Sequence, residues 1–283
     1  MAGDGNDKSV PGGVYLCQVG ENVSCGACCG LYNVADPSFA NLNRMLAERT
    51  AMFSEIPRQV EAILDFGRRI LENQVGRKPL TEFHHCPYIG FVGPRKIRVG
   101  CLLHPLADGN KGVDLRGLSD YGGLACRDYF CPAYTGLGPE IKALIRRGAP
   151  RWYEYGMIVT EVDLLNEIFR FVRQCRRTSI QIEKGERPDR AGSVFEILSA
   201  LKSGWRYGPK SEPATCHYFF RDGLYHRLQV VYPDAAGPSR YHVILRELCS
   251  HFETAADLRH AEQLLSDAIH RLASAMNDRV TAK

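Results

Sequence analysis

Cys25-Gly26-Ala27-Cys28-Cys29 is the stretch from which the rest of the chain is read. Cys25 and Cys28 have the two-residue spacing that lets two thiolates turn onto one metal, and Gly26 between them removes side-chain crowding. Cys29 follows at once. Neighbouring side chains diverge in most backbone conformations. Cys28 and Cys29 are therefore expected to serve two different centres, or one to ligate while the other packs. Cys17 lies before this stretch, and Cys86, Cys101, Cys126 and Cys131 lie after it. Eight of the eleven cysteines thus fall between residues 17 and 131, in loops rich in Gly and Pro. Eight thiolates suit two four-coordinate sites, one iron–sulfur cluster plus one zinc, or one centre with spare thiols.

The compartment decides how such cysteines are read. Met1–Gly13 has no apolar run that would serve as a secretory signal. No stretch approaches the roughly 20 apolar residues of a membrane span. The expectation is a cytoplasmic protein with no membrane partner. In a reducing compartment, clustered cysteines bind metal or catalyse more often than they form disulfides. Cys175, Cys216 and Cys249 stand apart and read as small core residues. The formal net charge of +4 comes without a basic stripe, so no nucleic-acid partner is expected. Pro94-Arg95-Lys96-Ile97-Arg98 reads as a solvated turn.

The rest of the chain reads as mainly α, with helices around an irregular cysteine-rich metal-binding region and little β. Residues 1–13 are expected to be disordered, 14–138 to form a cysteine-cluster domain, and 139–283 to form a helical C-terminal region. Asp36 is the expected N-cap of a first helix, with Pro37 at its first position. Val60, Ile63, Leu64, Gly67, Ile70 and Leu71 fall at helical spacing after Pro57. Residues 80–138 read as mostly irregular, a loop long enough to need a metal in place of a core.

Further on, Pro139 starts a short helix, and 153–176 reads as one longer helix. Residues 183–192 read as a polar linker, and Ser193 starts the next helix. A hairpin around Asp222-Gly223, or a broken helix, follows. Helices near 241–251 and 254–276 close the chain. The last carries Leu258, Ala261, Leu265, Ala268, Leu272 and Met276 as one stripe. Trp152, Tyr153 and Tyr155 read as helix packing.

Buried thiolates need positive charge and hydrogen bonds around them. Arg127, beside Cys126, is a candidate for that role. His84, His85 and His104 lie near clustered cysteines and read first as ordinary polar or packing residues. His104 is the best placed of them as a further ligand.

At these residues the chain resembles the YkgJ-type CxxCxxCC family of zinc- or iron-chelating cysteine-cluster proteins. The matching motifs are Cys25-Gly26-Ala27-Cys28-Cys29, Cys86-Pro87-Tyr88, Gly100-Cys101-Leu102-Leu103-His104-Pro105 and Cys126-Arg127-Asp128-Tyr129-Phe130-Cys131. Where the family has its opening cysteine this chain has Asn22, and Cys17 takes that part through a longer loop. The likeness spans residues 17–135. It implies metal chelation by Cys17, Cys25, Cys28, Cys29, Cys86, Cys101, Cys126 and Cys131. Flagellin lysine-N-methylases are similar in their cysteine set, which implies an iron–sulfur cluster and a methyl-transfer role as a second, enzymatic reading.

Three functions follow as expectations. The first is an iron–sulfur protein, with a 4Fe-4S cluster as the natural four-thiolate form, in a redox, sensing or supporting role. The second is a structural zinc module that presents the helical half to a protein partner. The third is a cluster-supported enzyme such as a protein lysine N-methyltransferase. No catalytic residues are legible: there is no HExxH motif, and Gly90-Phe-Val-Gly93 and Gly136-Leu-Gly138 lack a strand–turn–helix context. Nor does any feature point to a particular substrate or oligomeric state.

Overall fold

The computed structural model describes residues 7–73, 84–178, 190–208, 228–233 and 237–277. It is mainly helical. The helices in chain order are α1 (Phe39–Glu55), α2 (Val60–Glu72), α3 (Gly122–Asp128), α4 (Ala133–Gly136), α5 (Pro139–Gly148), α6 (Trp152–Val159), α7 (Val162–Thr178), α8 (Arg190–Ser203), α9 (His242–Glu247) and α10 (Ala255–Asn277). Among the described residues the only sheet is an antiparallel pair, β1 (Ile89–Val92) and β2 (Arg98–Cys101).

The chain divides into two compact units. The first takes the described residues up to Thr135 and also Pro150–Thr160. The second takes Gly136–Ala149 and the described residues from Glu161 onward. The segment carrying α6, assigned from sequence to the helical half, therefore belongs with the cysteines. In the segment expected to be disordered, Pro11–Gly13 forms a 3-10 turn and Asp7 Oδ1 accepts a hydrogen bond from Tyr15 N at 2.7 Å.

In the first unit, α1 is capped by Ser38, whose Oγ accepts from Asn41 N at 3.3 Å. Asp36, the expected cap, instead accepts from Ser38 N at 3.0 Å. That short Asx turn moves the helix start to Phe39, beyond Pro37. The buried stripe of α1 is Leu42, Leu46, Arg49, Thr50 and Phe53. The stripe of α2 lies where its periodicity puts it, with Ile63, Phe66, Gly67 and Ile70 buried, although Val60 and Leu64 are exposed.

Within the region expected to be irregular, β1 and β2 form a hairpin with Ile89 opposite Cys101 and Val92 opposite Arg98. Pro94–Ile97 make its turn, and Lys96 N donates to Gly93 O at 3.0 Å. The hairpin is fixed from two sides. Thr50 Oγ1 on α1 accepts from Phe91 N at 2.7 Å, and Ser24 Oγ accepts from Val99 N at 2.9 Å. Two apolar clusters meet here. Leu31, Tyr32, Leu42, Leu46, Ile89, Val99 and Trp152 form one; Phe53, Ile63, Phe66, Tyr88, Leu102 and Leu103 form the other.

In the second unit, α5 starts at Pro139 as read from sequence. The helix expected over 153–176 is broken between α6 and α7 at Thr160 and Glu161. Val159, Thr160 and Val162 are β-branched and extend a helix poorly. Buried Glu161 pairs with Lys202. Leu164, Leu165, Ile168, Phe169 and Val172 are buried on α7, and Leu258, Ala261, Leu265, Ala268 and Leu272 on α10. The helix read from Ser193 begins at Arg190. Cys175 and Cys249 are half-buried rather than core residues. Cys216 and the hairpin around Asp222-Gly223 lie outside the described residues. Among the described residues, no helix is long and apolar enough to cross a membrane.

Candidate metal centre

Four local structures bring the eight cysteines together in the first unit. The long loop between Cys17 and Cys25 folds back on itself. Gln18 and Ser24 form an antiparallel bridge, and Cys25 N donates to Cys17 O at 2.8 Å. This small hairpin carries Cys17 to Cys25 despite the Asn22 departure.

Next comes the tight 3-10 turn Ala27–Cys29, where Gly30 N donates to Ala27 O at 2.8 Å. Gly26 lets this turn lie flat on the hairpin: a Cβ there would come within 2.7 Å of Ile89 Cδ1 and 2.9 Å of Val99 Cγ1. Gly30 ends the turn at φ +71°, and a Cβ there would stand 1.8 Å from the His84 carbonyl oxygen. The crossing of these two strands of chain places Cys86 N on Cys29 O at 2.8 Å.

The third structure is β2, which ends in Cys101 beside the Cys86–Tyr88 segment; Leu102 N donates to Tyr88 O at 2.9 Å. The fourth is the stretch through α3 and α4. It supplies Cys126, whose Sγ is 3.2 Å from Ser119 Oγ, and Cys131, whose carbonyl accepts from Tyr134 N at 3.0 Å. Tyr134 OH lies 3.2 Å from Cys17 Sγ and accepts from Leu16 N at 2.9 Å.

These links tie Cys17 to Cys25 and, through Tyr134, to Cys131, and tie Cys29 to Cys86; the charges felt by the thiols assign the remaining cysteines. Burial pushes the Cys17 thiol up to about 12, with Cys28 as its next cause. Burial raises Cys25 well above the ordinary thiol value, helped by Cys28, Cys131 and Cys17. The first set is therefore Cys17, Cys25, Cys28 and Cys131.

Cys29 is raised most by its hydrogen bond to Cys28, then by burial, and further by the charges of Cys28, Cys86 and Cys101. Burial raises Cys86, with Cys101 and Cys126 adding to it. Cys101 is pushed up to about 11 by burial, with Cys126 raising it and Arg116 lowering it. The second set is Cys29, Cys86, Cys101 and Cys126. Adjacent Cys28 and Cys29 thus belong to different sets while sharing one hydrogen bond. That bond lowers Cys28, the acceptor side, as it raises Cys29.

All ten described cysteines are free thiols. Among the described residues, no three or more His, Cys, Asp or Glu side chains lie as a group that could hold a metal ion. The surroundings nevertheless suit bound thiolates. Backbone amides of Ala27, Tyr88, Leu103 and His104 lower the thiols of Cys25, Cys86 and Cys101.

Two arginines face the second set. Arg116, whose side chain is 11% exposed, interacts with Cys101 and Cys126 and pairs with Asp114 at 2.6 Å. Arg49 is buried, and its Nη1 donates to the Cys86 carbonyl at 3.3 Å. Arg127, the cation expected from sequence, lies in solvent and pairs with Asp128 at 3.0 Å. It sits next to Cys126 in the chain, but helix α3 turns it outward.

The histidines take ordinary roles. His84 packs edge-on against Tyr121, His85 Nδ1 is 2.7 Å from Gly30 O, and His104 Nδ1 accepts from Leu106 N at 3.1 Å. Trp152 and Tyr155 are buried, and Tyr155 OH donates to Leu16 O at 2.8 Å, next to Cys17.

Neither a family model nor a curated protein nor a solved structure matches this chain. The sequence reading missed Arg49, Arg116 and Tyr134. Of these only Arg49 left a trace: a charged residue on the apolar stripe Leu42, Leu46, Phe53.

Proposed function

We propose that this protein holds two metal centres, each on four cysteine thiolates, and that both are iron–sulfur clusters. Cys17, Cys25, Cys28 and Cys131 hold the first; Cys29, Cys86, Cys101 and Cys126 hold the second. One observation carries this reading: backbone hydrogen bonds pair Cys25 with Cys17 and Cys86 with Cys29, and the charges felt by the thiols extend the two pairs to two sets of four that part between Cys28 and Cys29. A packed group of inert thiols would have no reason to divide four and four. Four thiolates are the ligand set of a 4Fe-4S cluster. The clusters give the protein a redox or sensing role in the cytoplasm, a reading supported by the likeness of its motifs to those of the YkgJ-type cysteine-cluster proteins.

The test is anaerobic reconstitution followed by iron and acid-labile sulfide analysis. Two 4Fe-4S clusters give about eight irons per chain. Cys28→Ser and Cys29→Ser are each expected to lose about half of that iron, and the double variant nearly all. Full metal content in both single variants would refute the assignment. About two zinc ions per chain without sulfide would replace the clusters by structural zinc sites on the same thiolates.

A further inference from the structure

Arg49 is 2% exposed, on the buried stripe of α1. Its Nη1 donates to the Cys86 carbonyl, whereas its Nη2 is buried and has no hydrogen-bond partner among the described residues. Among the described residues it forms no ion pair, and the only charged group acting on it is Cys86. A buried cation without an anion is costly, and native proteins keep one where something repays it. Arg116 differs, because its charge is already shared with Asp114. Nor does the first set have an equivalent: the thiol of Cys17 is met by Tyr134 OH.

We propose that Arg49 is the counter-cation of the second centre, with Nη2 held for a sulfur of the loaded Cys29, Cys86, Cys101 and Cys126 set. This rests on the two-centre reading above. Four thiolates around zinc or around a 4Fe-4S core leave the centre with net negative charge. Loading therefore supplies both the acceptor and the anion that Arg49 lacks. Arg49 is a positioning residue here: it fixes the charge and hydrogen bonding of the sulfurs without touching the metal. Its effect should be confined to one centre.

The experiment compares Arg49→Met and Arg49→Lys with wild type in full-length protein. Zinc(II) is titrated against a chromophoric chelator. The Cys28→Ser background isolates the second centre, and the Cys29→Ser background isolates the first. Arg49→Met is expected to weaken the second centre at least tenfold and leave the first unchanged. Arg49→Lys, which keeps the charge, should recover most of the loss.

Thermal unfolding of the metal-free protein separates this role from a packing role. Without metal, Arg49→Met should unfold at the wild-type temperature or above it, because the variant removes an unpaired buried charge. With clusters in place, Arg49→Met should lower the reduction potential of the second cluster only. Wild-type zinc affinity at the second centre in Arg49→Met would overturn the proposal. So would equal weakening of both centres together with a less stable metal-free protein. Failure of the wild type to take up any metal would instead overturn the two-centre reading itself, and this proposal with it.

Discussion

Gly30 carries the crossing that joins the two thiolate sets. Its φ of +71° and the 1.8 Å approach of a Cβ to the His84 carbonyl leave no room for a side chain. Because the obstacle is backbone, relief would have to move Cys29 away from Cys86. Gly30→Ala is expected to cost about 3 kcal/mol or more, measured by chemical denaturation, and to lower metal content at the second centre. At this scale the sequence picked out the clustered cysteines and little of their surroundings. Cysteine spacing identifies thiolates because the chemistry needs that residue type. Charge compensation is different, since any cation that reaches the site will serve. Arg127 is adjacent in sequence yet points away, while Arg116 and Arg49 arrive through the fold.

The hairpin β1–β2 is the platform on which the cysteine turn lies, and α1 holds it through one side chain. Thr50 Oγ1 accepts from the buried Phe91 N at 2.7 Å and donates to Leu46 O at 2.8 Å. Thr50→Val keeps the shape and strands the Phe91 N–H, which should cost about 1–3 kcal/mol in the same denaturation assay. Among the elements, α2, α5 and α10 were legible, two through an apolar stripe at helical period and one through Pro139 at its first position. The hairpin was not. Its strands are four residues long, and Gly90 and Gly100 occupy positions where a β-branched residue would have marked a strand. The break at Thr160 was missed for a related reason. The apolar pattern continues across it, and only local propensity and the buried Glu161–Lys202 pair end the helix.

Across the whole molecule, the clustered thiols are stores of protons. Thiols held near 12 at Cys17 and near 11 at Cys101, with Cys25, Cys29 and Cys86 also raised, are protonated at neutral pH. A metal binds thiolates, so each of these groups gives up a proton on loading. The sign follows directly: affinity rises with pH from 6 to 8, by about tenfold per unit for each proton released, and falls on acidification. Zinc titrations at several pH values, with an indicator dye counting protons in weak buffer, check this. Membership of the eight-cysteine group was legible from motif spacing. Two sets of four were among the readings, but which cysteines share a set was not legible, because it depends on the Cys17–Cys25 fold-back and on β2 returning beside Cys86. The return of α6 to the first unit has a consequence of another kind. Tyr155 closes over Leu16 only after the chain has passed through α5. During synthesis from the N-terminus, all eight cysteines therefore emerge before the segment that covers Leu16, beside Cys17, and this cover forms only once Tyr155 is made.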